Sequence, residues 1–237
     1  MLRGRRSDAM ARHGNSRHIK RLAASGYSKP ARKASAYLAK PNPGRHALDS
    51  SVALLVLVRD KFGIASNAAE ARKIIGQGKV EVNGAKVTEP WYPVGFGDTI
   101  TLADSGESYS IGIAKHGTIG VEKLEGKKAR GRMLKVIGKY LAKGNSAMLR
   151  LYDGSVVRNE KGAGVNDTVV LSGNTVDKVL KFEEGAQCLV ISGAHAAERG
   201  SIAGIKKGNA SSPATVAVQS GSGQFETLVE NVMVVGA

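Results

Sequence analysis

One eighteen-residue segment constrains this chain more tightly than any other: Asn67-Ala68-Ala69-Glu70-Ala71-Arg72-Lys73-Ile74-Ile75-Gly76-Gln77-Gly78-Lys79-Val80-Glu81-Val82-Asn83-Gly84. Asn67 is a helix N-cap residue, able to accept hydrogen bonds from the open N–H groups of the first turn. Glu70 stands at the third helical position, from which its carboxylate can reach back to the cap's own N–H. Ala71, Ile74 and Ile75 form an apolar stripe at helical spacing, with Arg72 and Lys73 projecting away from it. Gly76 and Gly78 end the helix; Lys79 to Val82 then alternates with period two and runs into an Asn83-Gly84 hairpin turn. The expected product is a capped helix, a glycine break and a hairpin that gather Arg72, Lys73 and Lys79 around one corner. Periodicity alone also fits an αβ unit with ordinary solvated charges, so the rest of the chain has to decide.

The charge distribution favours a purpose for those cations. The 237 residues carry a formal +15, and residues 1–46 hold twelve Lys and Arg against the single acid Asp8, a net +11. Such a block repels itself and is expected to be ordered by a polyanion. Membrane attachment would need large apolar residues on an opposite face, whereas this arm offers mostly Ala, Ser and Gly. RNA is the better partner. The arm's Arg- and Ser-rich, acid-poor make-up is also that of a transit peptide, while Met-Leu-Arg-Gly-Arg-Arg is followed by no apolar region of the signal-peptide kind.

A hydrophobic content of 42% supports several small cores rather than one large one, and no apolar run reaches the ~18 residues of a membrane-spanning helix. The single cysteine, Cys188, rules out an intrachain disulfide and a cysteine-based zinc site, which suits a reducing cytoplasm. Its apolar context, Gln187 to Ile191, reads as that of a buried core thiol.

Along the chain, Ser16 to Ala24 is a short helical candidate, and Pro41-Asn42-Pro43-Gly44 is a stiff turn leading into the next segment. Leu48 to Ser51 is expected to open a helix through Val58, and Phe62 to Ala65 to link it to the helix capped by Asn67. Glu89-Pro90-Trp91-Tyr92-Pro93 carries the only tryptophan and leads towards a strand at Thr99–Leu102. Beyond it the composition turns to β structure, with candidate strands at 108–114, 146–151, 155–158, 168–171 and 176–182 and turn residues between them. Short strands so punctuated suggest a small barrel. A second basic patch, Lys127, Lys128, Arg130, Arg132, Lys135, Lys139 and Lys143, lies among them; its alternating part, Lys135 to Leu141, is compatible with strand or helix. Phe225 to Gly236 reads as a closing strand or two.

Catalytic groups do not assemble in the sequence. Arg150-Leu151-Tyr152-Asp153-Gly154 is the nearest approach to a pseudouridine-synthase aspartate and reads better as a hairpin turn. Gly221-Ser222-Gly223 lies between strand-like segments, not at the strand-to-helix junction a methyltransferase loop requires. The five histidines lie apart from carboxylates and cysteine at ligand spacing, so neither a metal nor any other cofactor is expected. His13 and His18, inside the basic arm, suit base stacking or phosphate contact.

Two segments resemble known modules. The region from Leu48 to Gly84 resembles the S-four RNA-binding motif. Glu184-Gly185-Ala186-Gln187-Cys188-Leu189-Val190-Ile191-Ser192-Gly193, followed by Arg199-Gly200-Ser201-Ile202-Ala203-Gly204-Ile205, resembles the KOW motif, with Glu184 where a basic residue often stands. In that pattern Gly200 should sit where a side chain would spoil the backbone or a close contact. From Met10 onward the chain resembles the archaeal and eukaryotic (e-type) small-subunit ribosomal protein four family. The likeness rests on His18-Ile19-Lys20-Arg21-Leu22-Ala23-Ala24, Pro43-Gly44-Arg45-His46, Tyr92-Pro93-Val94-Gly95-Phe96-Gly97-Asp98 and Lys181-Phe182-Glu183-Glu184-Gly185. Residues 1–9 precede the family's usual start, making Met10 an alternative initiator, and the lack of a long basic C-terminal tail leans towards an archaeal source.

The resemblance implies an α+β, multi-domain chain: a basic N-terminal extension (1–46), an S-four-type module (47–97), a central β-rich domain (98–180) and a KOW-like small β-barrel (181–237). It implies a cytoplasmic, non-enzymatic constituent of the small ribosomal subunit, with ribosomal RNA and neighbouring ribosomal proteins as partners and no membrane or small-molecule substrate. The alternatives are a transiently bound regulatory or elongation-type factor, and, ranked below it, an RNA-modifying enzyme. The expected RNA-binding residues in the arm are Arg3, Arg5, Arg6, Arg12, His13, Arg17, His18, Lys20, Arg21, Arg32, Lys33, Lys40, Arg45 and His46. Arg72, Lys73 and Lys79 in the module, and Lys127, Lys128, Arg130 and Arg132 in the second patch, complete the set.

Overall fold

The computed structural model describes residues 16–30, 33, 35–124, 131–173, 175–209, 211–221 and 223–236. From Ser16 the basic arm is folded against the rest of the chain. β1 (His18–Lys20) pairs antiparallel with β2 (Tyr37–Ala39), Ile19 opposite Leu38. The helix expected over Ser16–Ala24 is replaced by this strand and a single 3-10 turn, Arg21–Ala23. A helix there would have had no apolar stripe to bury, whereas strand alternation turns Leu38 inward and leaves Tyr37 outside. Tyr27 joins the core, and its carbonyl accepts from the Ile119 N–H at 2.9 Å. The described part of the arm is therefore ordered by the protein's own core, contrary to the expectation that it waits for a polyanion.

The next unit opens with β3 (Ser51–Ala53), which pairs with β6 (Pro93–Gly95). Helix α1 (Leu54–Val56) follows and widens into a π-type turn, Leu57–Lys61. The expected helix start at Leu48–Ser51 is thus displaced to Leu54. The strand pairing, with the Leu54 and Leu55 N–H groups donating to the Tyr92 and Pro90 carbonyls at 2.9 and 3.0 Å, satisfies backbone that a helix end would leave open.

Helix α2 (Ala68–Gly76) forms as its cap predicts, with Asn67 accepting from the Ala69 and Glu70 N–H groups at 3.0 and 2.9 Å. Glu70 closes the cap one residue early, accepting from the Ser66 N–H and hydroxyl at 2.8 and 2.9 Å; these bonds hold its carboxyl below its ordinary pKa. β4 (Val80–Val82) and β5 (Ala85–Lys86) make the hairpin, with Asn83 and Gly84 both at positive φ (54° and 80°) as its two-residue turn requires.

β7 (Thr99–Leu102), β8 (Ser108–Ala114) and β9 (Thr118–Leu124) extend that hairpin into one sheet of order β5-β4-β7-β8-β9. The boundary expected after residue 97 lies within this sheet, between its strands β5 and β7. Ile100, Ile111 and Ile119 share one core with Leu54, Leu57 and Ile75.

A second antiparallel sheet is built from β10 (Arg132–Ala142), β11 (Ser146–Leu151), β12 (Val156–Arg158), β13 (Thr168–Ser172) and β14 (Thr175–Leu180), in the order β12-β11-β10-β13-β14. The ambiguous alternation at Lys135–Leu141 is strand, and Leu134, Val136, Leu149 and Leu151 fill its core.

The third sheet contains β15 (Gln187–Val190), β16 (Arg199–Lys206), β17 (Thr215–Ser220), β18 (Gly223–Leu228) and β19 (Val232–Val234), ordered β18-β17-β16-β15-β19. Cys188 lies in its core, where burial raises the thiol pKa. Gly200 is needed for a close contact: a Cβ there would stand 2.4 Å from the Gln219 carbonyl oxygen and 2.8 Å from Val218 Cγ1.

Phe96, Ile191 and Met233 form a small shared cluster where the three sheets meet. Buried polar groups reinforce the junction. Asp98 accepts from Asn83 Nδ2 at 2.7 Å and from the Gly95 N–H at 3.0 Å, and it meets His46 Nε2 at 2.8 Å. Lys135 points away from solvent and donates to the Val229, Glu230 and Val232 carbonyls at 2.5, 3.2 and 2.8 Å.

Candidate nucleic-acid interface

The exposed cations of the arm and of α2 converge on a ring that no sequence pattern had marked. The Arg17 guanidinium carbon stands 4.8 Å from the centroid of Trp91, and that of Arg72 stands 5.8 Å from it. Arg17 precedes β1, Arg72 lies on the outer face of α2, and Trp91 sits in the turn before β6. Cation–π geometry of this kind holds two otherwise mobile side chains in place. Next to them, His18 meets Tyr37 edge to face at 5.0 Å. A cleft of about 430 Å³ runs between these groups, with Arg59 and Ala68 also on its surface.

The cleft continues along the arm in two directions. Towards the module, Arg17 and Trp91 also border a groove with Lys40, Pro41 and Asn42. Towards the arm's turn, Tyr37 borders a second groove with Lys20, Arg21, Leu22 and Lys33. Among the described residues, Arg17, Arg72 and Lys73 have no carboxylate partner, so their charge faces solvent undivided. Arg59 differs, since it is held by Asp60 at 2.5 and 2.8 Å.

Three expected RNA contacts are engaged elsewhere. His46 is buried, with its Nε2 2.8 Å from the Asp98 carboxylate. Arg132, with an 11% exposed side chain, donates to Asp153 at 2.6 Å and lies 3.5 Å from Asp98. It bridges the first two sheets instead of standing ready for phosphate. Lys79 reaches Asp104 at 2.8 Å, an exposed pair that diverts it from the corner expected with Arg72 and Lys73.

Lys135, read as part of the second basic patch, is likewise withdrawn by the three carbonyls it serves. Asp153 is fully buried, which pushes its carboxyl pKa up, but the bonds it accepts from the Ser155 hydroxyl, the Ser155 N–H and Arg132 outweigh burial and hold it below its ordinary value. It is the structural turn residue its Asp-Gly context suggested. Arg45 is exposed before the module. Arg3, Arg5, Arg6, Arg12, His13, Arg32, Lys127, Lys128 and Arg130 lie outside the described residues.

Trp91 and Tyr37 are the residues that charge counting missed. A lone tryptophan and an outward-alternating tyrosine near Lys- and Arg-rich segments were the available signal, because aromatic groups among cations are what unpaired bases stack upon.

The comparisons agree with this layout. The S4 domain profile matches residues 55–100, which contain α2 and the β4–β5 hairpin, and the profile of ribosomal family S4e matches residues 105–177. The small ribosomal subunit protein eS4 of Methanothermobacter thermautotrophicus is 32% identical over 230 residues, covering 96% of this chain and 95% of its own length. Its counterpart from Archaeoglobus fulgidus is 34% identical over 222 residues, covering 92% and 93%. The crystal structure of the 30S ribosomal protein S4e from Thermoplasma acidophilum matches with a TM-score of 0.68 and 29% identity, covering 80% of this chain and 96% of that one. With an S-four-type module, a strand-rich remainder and full-length relatives of this kind, the chain belongs to the S4e family of ribosomal proteins.

Proposed function

We propose that this protein is a non-catalytic structural constituent of the small ribosomal subunit, working in the cytoplasm and held there by ribosomal RNA. The observation that carries the reading is the joint cleft, where Arg17 from the arm and Arg72 from α2 stand over the same Trp91 ring. Residues more than fifty positions apart are thereby arranged as one cationic and aromatic surface. Phosphates crossing it would release counterions, and the rigid corner would read RNA by shape and backbone more than by base sequence.

Arg17, His18, Lys20, Arg21, Lys33, Lys40, Arg45, Arg72 and Lys73 form the main footprint. Arg3, Arg5, Arg6, Arg12, His13, Arg32, Lys127, Lys128 and Arg130 join it on charge alone. The two β-rich units serve as spacers and as surfaces for neighbouring ribosomal proteins. We read the C-terminal sheet as KOW-like, a reading supported by the tight Gly200–Gln219 approach.

Sedimentation of a lysate through sucrose tests the assignment. About one copy per small subunit, retained at moderate salt, is expected; protein left at the top of the gradient or washed off easily would mean a transient factor. In the same frame, Arg72→Ala with Lys73→Ala should weaken binding to small-subunit RNA and reduce the slope of log K against log salt by roughly one unit per lost phosphate contact. A folded double variant with unchanged affinity and slope would remove α2 from the interface.

A further inference from the structure

We propose that the cleft between the β1–β2 hairpin and α2 receives one unstacked RNA base, which stacks on Tyr37 beside Trp91. The inference rests on the RNA-binding reading above and adds which part of the RNA enters.

Cations alone would make a phosphate site, and this cleft contains more than cations. Tyr37 is 55% exposed, yet its neighbour Leu38 is buried and fixes the strand that presents it. His18 braces the Tyr37 ring edge to face, so the ring is positioned before any ligand arrives and little side-chain entropy remains to be lost. An aromatic face kept at a strand surface and braced in this way contributes little to the fold, since Leu38 and Tyr27 supply the arm's buried contacts.

The surrounding cations suit a nucleotide. Arg17 and Arg72 lie over the indole, which leaves the N–H edges of their guanidinium groups available to base acceptors or to the phosphates on either side. Arg59 is already bidentate with Asp60 and contributes shape more than charge. At about 430 Å³ the space lies within the ~300–1,000 Å³ of small-ligand sites, large enough for a base and too small for a duplex. RNA-binding proteins take bases from loops, bulges and ends in this manner, stacking them on aromatic rings and arginine planes.

Because Trp91 is the only tryptophan, its emission reports this cleft and the adjoining groove that the same ring borders, and the Tyr37 variants separate the two. The full chain is titrated with protein-free small-subunit ribosomal RNA of an archaeal relative, following both affinity and Trp91 fluorescence. Saturable quenching is expected. Tyr37→Ala should weaken binding about tenfold, within the ~5- to 150-fold range of one lost base–aromatic stack, with the salt slope unchanged, and Tyr37→Phe should bind as the parent does. Salt-dependent binding with unmoved Trp91 emission, or a folded Tyr37→Ala protein within twofold of the parent, would overturn the base pocket and leave the RNA-binding reading standing. No binding by the parent chain would overturn that reading and the pocket with it.

Discussion

At the scale of single residues, two glycines of one strand illustrate how the same amino acid answers different demands. Gly200 in β16 faces the β17 backbone so closely that a methyl group would lie 2.4 Å from the Gln219 oxygen, while Gly204, at the register shift in the same strand, has no atom within 4 Å of where a Cβ would be. Gly200→Ala should therefore destabilise the C-terminal sheet by about 1–3 kcal/mol, the cost of overpacking, and Gly204→Ala should stay within about 0.5 kcal/mol. Thermal unfolding of the two variants checks this, and equal losses would show that contact at Gly200 is not the constraint. The demand at Gly200 was legible as a motif position, but the partner that imposes it was not, because Gln219 is nineteen residues away and meets it only through strand pairing. The Asn67 side-chain cap was legible, since its donors lie two and three residues on, whereas the partner of Glu70 shifted from Asn67 to Ser66.

At the scale of elements, the outcome depended on whether the partner was local. Helix α2 and the β4–β5 hairpin carry their own caps, stripe and turn, so their pattern stands as read. The arm and the start of α1 do not. β1 and β3 are strands because β2 and β6 lie beside them, and no local propensity announces those pairings. It follows that the arm hairpin exists in the free protein. The Arg21 N–H, bonded to Ala36 at 3.0 Å, and the Lys40 N–H, bonded to Arg17 at 3.1 Å, should exchange slowly without RNA. Exchange at the rate of an unstructured peptide would mean that RNA, not the core around Tyr27, folds the arm.

At the scale of the whole molecule, basic residues serve two opposite purposes. Some face solvent around Trp91, and others hold the three sheets together from inside. Lys135 is the clearest of the latter, 2% exposed and donating to three carbonyls of the C-terminal turn. Burial pulls its pKa from 10.5 down to about 8, against the opposing charge of Glu230. Below pH 8 both folded and unfolded chains hold this proton and its contribution is flat. Between pH 8 and 10.5 the unfolded chain holds more of it, so the contribution to stability rises with pH through that window. Relative to Lys135→Met, which lacks the group, the parent should gain up to ~1.4 kcal/mol per pH unit there, measured by denaturant unfolding at pH 7.5 and 10. A difference that stays level or falls would show that Lys135 keeps its ordinary pKa in the folded protein.

What the sequence alone determined is what depends on neighbours within a few residues: the capped helix, the hairpin, the β-rich remainder and the concentration of charge in the arm. It also determined the family, because motif order and spacing survive without coordinates. Only the tertiary structure decided which cations are free. Arg132, Lys135 and His46 resemble Arg17, Lys40 and Arg72 in composition and context, yet the first three are turned inward onto acids and carbonyls contributed by distant segments. Charge is a property of a residue, but its availability depends on the chain segments that fold against it, and those contacts span dozens of positions.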